Sequence, residues 1–304
     1  MPTFRKLGLV YAPNGSAPWA RQAAMLPTPL MLDEHRVRVY FASTDEHTVG
    51  RVGFVELDVR RPLDVLRESS APVLDIGVPG AFDDNGVNPC CLVQDGAELR
   101  LYYVGYQLHR KIPYTLFTGV AVSRDGGETF ERRSQAPVLD RTDGELFFRT
   151  APFVAKEGAH WRVWYIAGAG WTQLGGRTQP LYSLHTLTSP DGLSFQGRGQ
   201  ELLAPRTPDE IGFGRPFFRS TAQGHELYYS VRSPTGYRLG FARSADRLHF
   251  ERADDALVLE GATAAWESEM TCYSALVETR HSTLMLYNGN GYGRTGFGAA
   301  VLER

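Results

Sequence analysis

The chain is predicted to be all-β, a string of small antiparallel sheets, and three observations carry that prediction. The first is internal repetition. Residues 82–107, FDDNGVNPCCLVQDGAELRLYYVGYQ, run as an acidic loop, a Pro, a short apolar strand, a turn at Asp95-Gly96 and a strand with paired aromatics. The same order returns as FRTAPFVAKEGAHWRVWYIAG from Phe148, FGRPFFRSTAQGHELYYSVRS from Phe213 and WESEMTCYSALVETRHSTLMLYNGN from Trp266, with a more diverged copy, RQAAMLPTPLMLDEHRVRVYFAS, from Arg21. A recurrence of about 60 residues is the spacing of arrays of small sheets. The second observation is a set of hairpin turns, SRDGGETF, SPDGLSF and SADRLHF. The third is composition: 32 Gly, 18 Pro and 12% aromatic residues suit many turns and short strands, and no long helical periodicity competes.

Taken in order, each copy reads as four strands. An apolar strand follows the Pro, and a second carries the pair Tyr40-Phe41, Tyr102-Tyr103, Trp164-Tyr165, Tyr228-Tyr229 or Leu286-Tyr287. A third strand and a fourth lie on either side of the Ser-x-Asp turn, where Asp125, Asp191 and Asp246 are expected to bind turn backbone while Phe130, Phe195 and Phe250 pack beneath. The last copy is short: after YNGNGYG only TGFGAAVLE remains, while the chain begins with a spare strand, KLGLVYAP. Five four-stranded copies describe a five-bladed β-propeller, residues 1–304 forming a single domain, its ring closed by the N-terminal strand joining the C-terminal blade.

Charge and cysteine usage narrow the partners. A formal net charge of −2 with both signs interspersed leaves no basic tract for nucleic acid. No apolar run approaches a membrane span, so no membrane insertion is expected. The three cysteines, adjacent Cys90 and Cys91 with Cys272, form neither a disulfide framework nor a zinc spacing. A cytoplasmic protein with no metal and no cofactor is the expectation.

In a propeller the innermost strands start at one end of a central channel, so polar residues ahead of the repeated Pro converge there. These are Arg21 and Gln22, Asp83 and Asp84, Glu145 and Arg149, Arg215, and Glu267 and Glu269. Charges of both signs in a confined channel must be paired or used; interblade salt bridges are one reading and a binding site the other.

Five repeats with FDDNGVNP, SRDGGETF, GRPFF and WESEMTCYSALV…LYNGNGYGRTGFG resemble the five-bladed propeller superfamily of arabinanases, invertases, levansucrases and β-mannoside phosphorylases. They resemble in particular a bacterial branch met in polysaccharide biosynthesis, and the turns are similar to the Asp-box turns of sialidases. The resemblance implies a carbohydrate or sugar-phosphate bound in the funnel and chemistry at a glycosidic bond: hydrolysis, phosphorolysis or glycosyl transfer. Hydrolysis requires two carboxyl groups. Asp84 is the candidate for one, with Asp83 beside it, and Glu267 or Glu269 for the other. The family's first-blade aspartate is missing from SAPWARQAA, and its third-blade Glu-Gly-Pro is replaced by Thr150-Ala151-Pro152 behind Arg149.

Arginines offer a second chemistry. Arg149 and Arg215, with Arg21 and Arg232, are candidates to clamp an anionic group by paired hydrogen bonds, and Glu145 is a candidate contact beside them. Trp171, then Trp19 and Tyr292, are candidate sugar platforms, and Asn288 and Asn290 candidate hydroxyl ligands. A non-catalytic sugar-binding or interaction propeller is the alternative.

Overall fold

Strand-forming runs broken by Gly, Asp and Pro fold into successive hairpins in the computed structural model, which describes residues 2–303. After β1 (Thr3–Tyr11), module 1 contains β2 (Gln22–Met31), β3 (Arg36–Thr44), β4 (Gly50–Asp58) and β5 (Arg61–Glu68). Module 2 contains β6 (Val87–Asp95), β7 (Glu98–Leu108), β8 (Tyr114–Ser123) and β9 (Glu131–Arg132). Module 3 has β10 (Phe148–Glu157), β11 (His160–Leu174), β12 (Arg177–Ser189) and β13 (Gln200–Leu203), and module 4 has β14 (Gly212–Thr221), β15 (Gly224–Ser233), β16 (Gly236–Ser244) and β17 (Glu251–Arg252). Then come β18 (Val258–Glu260) and the strands of module 5, β19 (Cys272–Glu278), β20 (Thr283–Asn288) and β21 (Phe297–Leu302). Helix is confined to single turns such as Ala265–Glu267.

Within each module the strands pair antiparallel in chain order. Module 5 takes its fourth strand from the start of the chain: β1 lies antiparallel to β21, Phe4 opposite Leu302 and Leu9 opposite Gly298, with β18 parallel on its far side. Modules 2 and 3 are joined by a short parallel pairing of β8 with β10, Leu116 to Phe148 and Phe117 to Arg149.

Neighbouring residues on a strand point to opposite faces, which explains the paired aromatics. Tyr40 packs into a core shared by modules 1 and 2, and Phe41 into one shared by modules 5 and 1. The same split sends Tyr102 toward module 3, Trp164 toward module 4 and Tyr228 toward module 5, while Tyr103, Tyr165, Tyr229 and Tyr287 face the preceding module. Each module therefore buries both faces, at roughly 1.5–3 kcal/mol per large apolar side chain. Trp164 stacks on Phe218 across one such interface with centroids 4.0 Å apart.

The Ser-x-Asp turns behave as their sequences require. Asp125 accepts from the amides of Glu128 and Thr129, Asp191 from Leu193 and Ser194, and Asp246 from Leu248 and His249. The turns also join modules, since Tyr40 donates to the Gly127 carbonyl at 2.8 Å and Tyr102 to that of Gly192 at 2.9 Å. Both glycines have positive φ, 87° and 71°, which a side chain would strain.

Candidate functional site

The first strand of every module carries a β-bulge close to the repeated Pro position: between Met25 and Thr28, Thr150 and Phe153, Gly214 and Phe217, and Cys272 and Ala275, and, just after the Pro in module 2, between Pro89 and Cys91. A bulge re-aims the side chain at its kink. Leu26, Ala151, Arg215 and Tyr273 sit there with positive φ, and they line one cavity of 350 Å³ together with Asn88. Four of these five residues immediately precede the repeated Pro.

The cavity wall holds six tyrosines, Tyr106, Tyr114, Tyr182, Tyr237, Tyr273 and Tyr292, and two arginines, Arg215 and Arg232. No carboxylate and no histidine is among the residues that line it. Arg215 is buried at 1% exposure. Its guanidinium donates to the carbonyls of Pro27 (2.8 Å), Tyr273 (2.9 Å) and Cys90 (3.2 Å) and to Thr28 Oγ1 (2.9 Å), while Nε has no partner. Burial without a carboxylate pulls its pKa down to about 10. Arg232 donates to the Pro180 carbonyl (3.2 Å) and Gln179 Oε1 (2.6 Å) and lies over the rings of Tyr182 and Tyr237. Burial holds the phenols of Tyr182, Tyr237 and Tyr106 above their ordinary range, so they are neutral hydrogen-bonding groups at physiological pH. A second cavity of 380 Å³ shares Met25, Asn88 and Tyr106 with the first and adds Gln22, His47 and Arg294.

The acids expected in the funnel are elsewhere. Asp83 Oδ2 accepts from the Tyr103 hydroxyl (2.9 Å) and from Arg132 Nε (2.8 Å), and the carboxylate is fully buried. Glu145 Oε1 accepts from the Tyr165 hydroxyl and Glu267 Oε2 from the Tyr287 hydroxyl, each at 2.8 Å. In all three pairs the acid stands 20 residues before the tyrosine. The acids thus satisfy a buried hydroxyl of the repeat, an obligation that a hydroxyl in an apolar core imposes. In module 1 the aromatic is Phe41, which has no hydroxyl, and no acid precedes it; Arg21 occupies that place.

The remaining candidates separate in the same way. Arg149, expected to clamp an anion, is 1% exposed, with Nε 2.6 Å from Glu145 Oε2 and its terminal nitrogens donating to the carbonyls of Asp140 and Gly197. It is committed to an ion pair and does not line the cavity, so an Arg149–Arg215 clamp is not formed. Lys6 pairs with Glu267 at 3.1 Å. Asp84 accepts from the Gly80 amide, and Glu269 is exposed on the surface; neither lines either cavity. Trp171 packs on Tyr114, Phe147 and Phe148 behind the wall. Asn288 is buried, accepting from the Leu26 amide and donating to the Ala24 and Gly296 carbonyls, and Asn290 caps the amides of Glu269 and Met270. Arg215, Arg232 and Tyr292 are thus the candidates that reach the cavity, and Gln22 reaches its extension. The other tyrosines were missed because an isolated Tyr in a strand reads as core. The residue before each Pro was the usable signal. Among the described residues, no group of three or more His, Cys, Asp or Glu side chains is placed to hold a metal ion, and no helix is long and apolar enough to cross a membrane.

This fold is similar to that of several solved glycoside hydrolase structures. A putative glycoside hydrolase from Parabacteroides distasonis superposes with a TM-score of 0.74 at 14% identity, covering 100% of this chain and 97% of its own. A structure from the GH130 family of mannoside phosphorylases, which contains glycoside hydrolases that target β-1,2 mannosidic linkages in Candida mannan, superposes at 0.72 and 16% identity, covering 98% and 93%. A thermostable family-43 glycoside hydrolase gives 0.67 at 13%, covering 96% and 91%. No family model matches the sequence. The chain belongs to the family of the uncharacterized protein Rv1502 of Mycobacterium tuberculosis, to which it is 31% identical over 300 residues, 99% of each chain.

Proposed function

We propose that the five modules are the blades of one closed propeller and form a single domain. On this reading the chain is a carbohydrate-active enzyme whose central cavity binds an anionic sugar, one bearing phosphate or carboxylate. Closure is supported by the β1–β21 pairing and by the core that modules 5 and 1 share. The observation that carries the function is the composition of the wall: two arginines without an acid partner, six tyrosines and no carboxylate. A volume of 350 Å³ lies within the roughly 300–1,000 Å³ of small-molecule sites. Ring faces suit a pyranose, and the phenol hydroxyls and Asn88 suit its hydroxyl groups. Arg232 is the better anion ligand, because a carbonyl and a carboxamide hold it and both are exchangeable. Arg215 contributes charge from the floor.

Hydrolysis by two carboxyl groups needs an acid and a base or nucleophile flanking the bond. The wall supplies neither, and guanidinium cannot donate a proton in the working pH range. What it supplies is stabilisation of negative charge, which suits phosphorolysis or transfer from a phosphate-activated sugar, reactions in which the substrate's own phosphate brings the charge. We place this chemistry in cytosolic polysaccharide metabolism, a setting that three unpaired, buried thiols suit.

The test is calorimetric titration of neutral sugars, uronates and sugar 1-phosphates, with turnover of glycosides followed with and without inorganic phosphate. Replacing Arg232 by Ala is expected to weaken an anionic ligand by roughly 1.5–3 kcal/mol, the range for charge-assisted hydrogen bonds, and to leave neutral sugars unchanged. Arg232→Lys recovers part of the loss, since a point charge lacks the planar fork. Phosphate-independent release of reducing sugar would refute the transfer chemistry. Saturable binding without turnover would leave a sugar-binding propeller.

A further inference from the structure

The repeat departs from its own rule at one position, and the departure builds a second constellation outside the central cavity. Opposite the second aromatic of each pair, the third strand carries Gly53, Gly119, Gly240 and Gly298 in modules 1, 2, 4 and 5. The reason is room: a Cβ on Gly119 would meet Tyr103 at 2.3 Å, and one on Gly240 would meet Tyr229 at 2.4 Å. In module 3 the residue opposite Tyr165 is His185. It is 2% exposed, and its Nε2 accepts from Ser183 Oγ at 2.8 Å. Two residues apart on β12, the two side chains leave the same face of the strand. On the other side of the ring, the Nδ1–H donates to the Gly199 carbonyl at 3.2 Å, with Glu145 Oε1 alongside at 3.1 Å. A carbonyl can only accept, so Nδ1 carries a proton and the neutral ring turns its lone pair on Nε2 toward the serine, with Glu201 Oε2 3.7 Å from the same nitrogen.

Ser183 and His185 line a pocket of 360 Å³, separate from the propeller's central cavity in all but Tyr182. Its wall is a bulge of β11, where Gly168 and Ala169 stand between the pairs Ala167–Ser183 and Gly170–Leu181. Arg198 lines it as well, with no carboxylate partner among the described residues. We infer that this is a nucleophilic acyl-transfer site for a short-chain carboxylic ester. A partly exposed hydroxyl, an adjacent base and a buried carboxylate behind the base are the arrangement that activates serine.

In the first step Ser183 Oγ attacks the ester carbonyl carbon as its proton passes to His185 Nε2. The carbonyl–alkoxy bond then breaks, and the same proton passes to the departing alcohol, leaving acyl-Ser183. Water adds to that carbonyl, giving up a proton to Nε2, and the bond to Oγ breaks as the proton returns to Ser183, releasing the carboxylic acid. Arg198 faces the negative charge that develops on the carbonyl oxygen, and Glu145 stabilises the transient imidazolium. Leu181, Pro205 and Ile211 form the apolar part of the wall and limit the acyl group to a short chain, while Glu210, which also lines the pocket, is held by Arg238 and Arg252.

The full-length protein is tested with 4-nitrophenyl acetate and with a fluorophosphonate probe, the labelled residue being located by peptide mass spectrometry. The expected result is label on Ser183 and loss of roughly 10⁴–10⁶-fold in ester hydrolysis for Ser183→Ala, the range for removal of a triad member. His185→Gln is expected to lose a similar factor and the labelling with it. Intact protein that takes no label at Ser183, or a Ser183→Ala variant that hydrolyses the ester at the wild-type rate, overturns the assignment. Should Ser183→Ala fail to fold, the labelled position in the wild-type protein decides alone.

Discussion

Replacing Arg149 by Ala strips Glu145 Oε2 of its nearest partner and takes donors from the Asp140 and Gly197 carbonyls, all at a site 1% exposed. Glu145 keeps the hydroxyl of Tyr165 and the amide of Gly199 on its other oxygen. Removing one member of a buried ion pair costs about 3–5 kcal/mol, because the remaining charge stays desolvated. The two orphaned carbonyls place the loss toward the upper end of that range. For a chain of this size, such a loss lowers the melting temperature by roughly 5–8 °C. Urea unfolding followed by tryptophan fluorescence, with melting measured in parallel, reads both quantities. Arg149→Lys should recover less than the full loss, since an ammonium cannot reach carboxylate and both carbonyls with one planar fork. Anionic sugar affinity of the folded fraction should stay unchanged, because Arg149 does not line the cavity. A variant within about 1 kcal/mol of wild type, or one that is stable yet loses ligand affinity, refutes the reasoning.

Two further outcomes follow from the repeat. Asp125 and Asp191 are each held near a pKa of about 2; burial opposes this, but hydrogen bonds from the turn amides, Ser123, Ser189, Thr129 and Ser194 outweigh it. Their folded values lie below the unfolded one, so they stabilise the protein fully above about pH 4. That contribution disappears as pH falls toward 2, and the urea midpoint should drop across this window; a midpoint flat from pH 5 to 2.5 contradicts it. Tyr287→Phe removes one donor from Glu267, which keeps Lys6 at 3.1 Å. A loss of roughly 1.5–3 kcal/mol is expected in chemical denaturation, and no loss would mean that the hydroxyl is not needed.

The fold was legible because its signals are local. Turn chemistry marks Asp125, Asp191 and Asp246, and adjacency of two aromatics marks a strand buried on both faces. The cavity was harder to read because charge drew attention to a different rung of each module. Asp83 lies six positions before Pro89 and Glu145 seven before Pro152, on the rung that serves Tyr103 and Tyr165. The residue that turns inward is the one the bulge kinks, and at Leu26 and Ala151 it is apolar and inconspicuous. A fixed spacing of 20 between acid and tyrosine stood in the sequence as the clue that the acids were structural. Ser183 and His185 gave no such clue, since Glu145 comes from the loop before β10 and Gly199 from the loop after β12.

Arg215 reaches from module 4 to acceptors on strands of modules 1, 2 and 5, all between 2.8 and 3.2 Å. A guanidinium has one span, so the four strands it links must keep fixed separations. It works as a gauge of spacing: adding or removing a module between these strands would carry at least one acceptor out of reach and leave a buried cation short of partners. The separation of modules 1, 2, 4 and 5 is thereby tied to a single side chain, and any attempt to widen the cavity between them has to begin by replacing that residue and its acceptors together.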